Sequence, residues 1–365
     1  MLRFVFILIL FMTCNAALSH EIKITDLFDR EVMIPAKINK VIALGSGTLR
    51  LLVYAGAQDI VVGKELYEDE LTKDFRPYTY NLSDKYYELP VVSAGGPGVM
   101  PDINQIKTLT PDVIFTTTLD KDQIDNLSKL TNSPVVGLTY GAVGHTDLEK
   151  IKMSLRLIGY ITHTQQRVQY ILNKMAMLRK DLYSRSFGQN KKSVFMASIA
   201  FKGPRGFGST EKEHPSCLML HVTNIADEII AEPAKNKHIV LEIDTIIKKQ
   251  PDFIFLDISG KNSLIQNYQK LYSDLTKLNA VEEGKVFSVL PYNWYNSNIE
   301  NIFITAYYIG KKVYPEQFAD VKLESVASDI YNSFLMTNPF DDVASKYEVF
   351  RQVIFKESGM KFFKR

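Results

Sequence analysis

Residues 102–115 and 242–255 carry one pattern twice, aligned without a gap: Ile103, Ile106, Pro111, Asp112, Ile114 and Phe115 recur as Ile243, Ile246, Pro251, Asp252, Ile254 and Phe255. Proline lacks a backbone N–H and clashes with the preceding helical turn. Each copy therefore reads as a helix stopped by proline and followed by a buried strand. A chain that repeats such a unit at this distance is expected to form two similar lobes around a spacer.

The spacer, 146–188, has helix chemistry. Thr146 with Glu149 three residues on reads as a capping box, ahead of Leu148, Ile151, Leu155 and Ile158 on one face. Gly159 interrupts that run. Thr162 or Thr164 starts a second helix, whose apolar stripe is Val168, Ile171, Leu172, Met175, Leu178 and Leu182, with Gly188 as its stop. A rigid strut is the expectation; an ordinary surface helix within one large domain is the alternative.

At 365 residues with 46% hydrophobic composition, the chain has enough apolar material for about two cored domains. Its net charge of +2 gives no polybasic field, so nucleic acid is not an expected partner. The first nineteen positions read as a secretory signal peptide: Arg3, the apolar run 4–12, then the small residues Cys14, Ala16, Ala17 and Ser19. A lipid anchor at Cys14 is the alternative, although Phe11, Met12 and Thr13 make a poor lead-in. If Cys14 leaves with the signal, Cys217 stands alone, and neither an intramolecular disulfide nor a cysteine metal cluster is available.

The domain plan is signal peptide 1–19, N-terminal α/β lobe 20–145, helical bridge 146–188, C-terminal α/β lobe 189–336 and a charged amphipathic tail 337–365. Strands are expected at 41–44, 60–63, 91–92, 113–115 and 135–140 in the first lobe, and at 193–200, 252–256 and 286–290 in the second. Helices at 299–313 and 323–336 close the second lobe. The fold class is α/β, with central mainly parallel sheets, one long bridging helix and a ligand cleft between lobes. The turn Gly45, Ser46, Gly47 could cradle a phosphate, yet it is neither a P-loop nor a full dinucleotide fingerprint, and tight-turn geometry is the simpler reading.

Ligands of open α/β sheets bind at the carboxyl ends of strands. The residues predicted there are Tyr67, Thr117, Tyr140, Phe201, Lys202, Arg205, Tyr292, Trp294 and Tyr295. Aromatic faces with two fixed cations suit a bulky, partly planar, anionic ligand. Taken singly, such residues are ordinary core aromatics; their gathering at strand exits makes the case.

The chain resembles the periplasmic substrate-binding proteins of ABC importers for iron-siderophore, haem and cobalamin. The resemblance rests on Ile24, Thr25 and Asp26 through Pro35, on Val41 to Gly45, on Val61 to Gly63, on both Pro-Asp copies, and on Pro291 to Tyr295; it reaches to about Met336. It implies a monomer of two lobes with modest closure around the ligand, periplasmic location, no catalysis and no covalently bound cofactor. Its partners would be an ABC permease with its ATPase at the inner membrane. Tyr67, Phe201 and Asn293 with Trp294 fall where the cobalamin-binding relative lines its cleft. The acid that docks each lobe onto the permease falls at Asn104 and Asp244. The asparagine departs from the pattern, so Asp102 could serve instead. The ligand implied is a metal chelate, iron foremost.

Two other classes stay open. An exported enzyme could draw bases from His145, His163, His214, His221 and His238 and a nucleophile from Ser46 or Ser209, but no motif context for either is present. A direct binder of bare transition metal, such as nickel, could use His145, His214, His238, Glu65 or Glu211, although their spacing is not that of a strong metal site.

Overall fold

The computed structural model describes residues 21–70, 75–96, 99–141, 146–229 and 237–364. The proposed signal peptide with Cys14, and His145, lie outside these. An antiparallel hairpin, β1 (Glu21–Thr25) and β2 (Glu31–Pro35), precedes the first lobe. That lobe holds a five-stranded parallel sheet in the order Val91–Ser93 (β5), Val61–Glu65 (β4), Val41–Leu44 (β3), Val113–Thr116 (β6) and Val135–Gly137 (β7). β3 and β6 are buried throughout, as continuous apolar runs are when helices cover both faces of a parallel sheet.

The second lobe opens with β8 (Lys192–Ala197). A small antiparallel pair, β9 (Ser209–Glu211) and β11 (His238–Val240), stands apart from its main sheet, to which β10 (Val222–Asn224), β12 (Phe253–Asp257) and β13 (Val286–Val289) belong. The main sheet runs β10-β8-β12-β13, parallel, and continues into β14 (Gln352–Lys356) and β15 (Gly359–Phe363), antiparallel. This corrects the reading of 337–365 as a charged tail. A helix, Phe340–Tyr347, and the β14–β15 hairpin instead complete the second lobe, and Phe340, Val343, Val353 and Phe355 are buried.

The duplicated pattern folds alike in both lobes. Helices Ile103–Leu109 and Ile243–Lys249 end at Thr110 and Gln250, both left-handed (φ 48° and 42°). The aspartate after each proline then ties the two central strands together at their starts. Asp112 accepts from the Asn39 and Lys40 amides (2.7 and 2.9 Å), and Asp252 from the Ser193 amide and hydroxyl (both 2.8 Å).

The bridge consists of helices Leu148–Ile161 and Gln165–Ser186. The second, 22 residues long, is about 33 Å from end to end and buries all six residues of the predicted stripe. Its predecessor is capped by Asp147, whose carboxylate accepts from the Glu149 and Lys150 amides; Thr146 is turned instead toward Tyr292 and Ser297. One apolar core runs through both lobes and the bridge, joining Phe115, Ile171 and Phe255. Arg167 of the bridge donates to Tyr54 O (3.1 Å) in the first lobe and to Phe334 O (2.9 Å) in the second. Cys217 is buried.

Candidate functional site

The parallel strands of each lobe point their carboxyl ends the same way, and one segment shows where the two sets of exits meet. Residues 291–298 follow β13 in the second lobe and reach the first. Arg50, fully buried on the helix Thr48–Ala55, donates to Trp294 O (2.9 Å) and Tyr295 O (3.2 Å), and Asn296 Nδ2 donates to Ser46 O (3.0 Å). The Tyr295 hydroxyl donates to Glu65 at the end of β4 (2.6 Å) and accepts from the Gly96 amide after β5 (3.2 Å). Its ring packs against that of Tyr67, with centroids 4.3 Å apart and planes tilted by 38°.

In the first lobe, Thr117 after β6 is half-buried and donates to Ser46 O (2.8 Å), while its hydroxyl also meets that of Thr48 (2.9 Å). In the second, β8 stops at Ala197 because Ser198 turns left-handed (φ 61°), shorter than the run to residue 200 expected from its apolar sequence. The loop that follows holds half-buried Phe201 with exposed Lys202 and Arg205. Phe201 stacks on His238 at 4.2 Å, and Arg205 Nε donates to Phe201 O (2.8 Å). Trp294 is half-buried against Phe75, and its indole N–H has no hydrogen-bond partner among the described residues.

Two of the nine predicted residues are packed into the protein rather than offered to a ligand. Tyr140 is buried and donates to Gly47 O (3.0 Å). Tyr292 is buried and donates to Glu211 (2.8 Å) beside Thr146. Both sit at strand exits but face inward, where a phenol needs a buried acceptor.

The acids of this region are buried and engaged. Burial pushes Glu65 up to about 7 against the pull of the Tyr295 and Gly45 hydrogen bonds, and Asp257 likewise to about 7 against bonds from Ser259 and the Tyr292 amide. Burial lowers His214 to about 3; burial and then the Arg205 charge lower His238 to about 4. Ser209 and His238 lie 2.8 Å apart, which superficially suits the enzyme reading. Ser209 is buried, however, and its hydroxyl donates to Ile199 O (2.6 Å), so the pair ties β9 to β11.

Residues that sequence reasoning passed over are Arg50, Gly95, Gly96 and Asn296. Arg50 had a readable signal, as the one charge inside the apolar run 49–55.

Residues 41–292 match the model of the periplasmic binding protein family, more than half of the chain. The chain belongs to that family. This periplasmic binding protein is similar to the molybdate-binding protein MolA of Haemophilus influenzae, 24% identical over 356 residues, 91% of this chain and 95% of that one. The molybdate-bound structure of MolA matches with a TM-score of 0.67 at 21% identity, covering 87% of this chain and 98% of that chain. A periplasmic solute binding protein from Veillonella parvula gives 0.66 at 18% identity (90% and 97% covered). CeuE of Helicobacter pylori with Ni(II) bound gives 0.63 at 16% (89% and 99% covered). At these identities the structural likeness is one of fold. The match to the family model thus makes it a periplasmic binding protein, and the relatives named here are binding proteins.

Proposed function

We propose that the protein captures an anionic metal chelate between its lobes, a ferric siderophore foremost, and hands it to the transporter's permease. One observation carries the reading. At the β8 exit Lys202 and Arg205 stand exposed beside Phe201, whereas Glu65, Glu211 and Asp257 are buried and hydrogen-bonded. Accessible charge at that exit is positive and set among aromatic rings, which favours an anion with planar parts over a bare cation. A bare cation would first have to displace the tyrosine hydroxyls from Glu65 and Glu211. A second reading, a compact oxyanion such as molybdate, is favoured by the similarity to MolA over 91% of this chain.

Trp294, the only tryptophan, is half-buried with a spare N–H and is the natural reporter. The test is fluorescence titration with ferric catecholate, ferric hydroxamate, haem, cobalamin, nickel chelates and molybdate. Quenching by a ferric chelate is expected. Quenching by molybdate alone selects the second reading, and a confirmed tight ligand that leaves emission unchanged places Trp294 outside the site.

A further inference from the structure

The loop 292–298 is closed on itself and plugged into the opposite lobe. Asn298 donates its amide to Tyr292 O (3.0 Å), and Asn293 bridges to Ser297. Its tip holds two consecutive non-glycine residues in the left-handed region, Tyr295 (φ 52°) and Asn296 (φ 76°). Such a pair persists only where surrounding contacts hold it. The first lobe supplies them through Arg50, Ser46, Tyr67, Glu65 and Gly96, and it is hollowed to fit. A Cβ on Gly95 would lie 3.1 Å from the Tyr295 hydroxyl and 2.7 Å from the Tyr67 Cβ; one on Gly47 would lie 2.8 Å from the Asn296 Cβ.

The hollow has the chemistry of a receptor for a phenol. The Tyr67 ring is its tilted aromatic wall, Gly95 its side without a side chain, and at its end a carboxyl group and an amide N–H converge on one oxygen. We propose that this hollow is a binding slot for a hydroxylated aromatic ring of the captured solute, and that Tyr295 occupies it until such a ring takes its place. The inference rests on the cleft being the capture site and deepens it by assigning the solute a free phenolic group. An unhydroxylated ring would leave the Gly96 amide and the Glu65 Oε2 without the partner that Tyr295 now supplies, and is rejected.

The probe is p-cresol, the tyrosine side chain as a free molecule, with toluene as the control lacking the hydroxyl. Binding is read by calorimetry and ligand-observed NMR on the full chain. Tyr295→Ala, which empties the slot, is expected to bind p-cresol at least tenfold tighter than toluene and tenfold tighter than the wild-type protein does. A folded Tyr295→Ala that binds neither, or binds both equally, overturns the slot. Should that variant not fold, Tyr295→Phe keeps the ring and frees Glu65 and Gly96; it should bind p-cresol at least tenfold tighter than wild type, and equal or undetectable binding overturns the proposal. Ferric catecholate titration of the wild-type protein reads the capture function separately, so failure there is told apart from failure of the slot.

Discussion

His214 is fully buried, with its ring 4.5 Å from that of Tyr292 and its Nδ1 accepting from the Ser216 amide (3.3 Å). Because burial lowers its pKa to about 3, the folded protein keeps the ring neutral where the unfolded chain would protonate it. Its contribution to stability is therefore complete above pH 6.5 and is lost as pH falls toward 3, at up to about 1.4 kcal/mol per pH unit. Glu65 and Asp257, raised to about 7, act in the opposite sense: their neutral forms are favoured, so their contribution is lost as pH rises through 7. Comparing variants separates the groups. His214→Asn keeps an acceptor for Ser216 and should flatten the fall in Tm between pH 6.5 and 5 relative to wild type; parallel profiles would show that His214 does not titrate this way. At the mouth of the cleft, Arg205→Ala should weaken an anionic chelate by about 1.5–3 kcal/mol, the worth of a charge-assisted contact, and a neutral one far less. Calorimetry with both ligand types checks this, and equal losses would remove Arg205 from the site.

The two repeat helices show what one short element can do in two places. Asn104 and Asp244 occupy equivalent, exposed positions on Ile103–Leu109 and Ile243–Lys249. Asp102, the other candidate acid on the first lobe, is already capping its helix through the Gln105 amide (3.0 Å). On the proposal that these helices dock onto a permease, the charge at the two positions is lopsided, and Asp244→Ala should impair uptake strongly and Asn104→Ala weakly, with ligand affinity unchanged in both. Rim charges act on encounter and are screened by salt, so the Asp244 defect should shrink as ionic strength rises. Uptake of labelled chelate into vesicles bearing the permease is the measurement, beside an equilibrium binding assay. Normal transport by Asp244→Ala, or loss of ligand binding in it, refutes the assignment. These helices were legible in sequence because proline, the following aspartate and an apolar strand act within a few residues of one another. The β14–β15 hairpin was not, since what makes it structural is its pairing with β13, more than sixty positions earlier.

Across the whole molecule, what reads poorly from sequence is whatever closes over distance. Tyr295 was placed at a strand exit by the run 291–295, yet its partner Glu65 lies 230 residues away and no local pattern announces the pair. The same holds for Arg50, recognised by two carbonyls whose side chains have no part in the contact. Tyr140 and Tyr292 were assigned to the right edge of each sheet but the wrong side of it, because sequence marks where a strand ends and not which way the next side chain turns. Cys217 has a practical consequence at this scale. It is buried, burial raises its thiol pKa, and it is the one cysteine among the described residues. In a mature chain lacking the proposed export segment, maleimide dyes would therefore find no native target. Cysteines introduced at the exposed positions Asn104 and Asp244 would accept a donor and an acceptor fluorophore without prior removal of Cys217. Energy transfer between them would turn the distance across the cleft into a signal that can be followed on single molecules as ligand arrives.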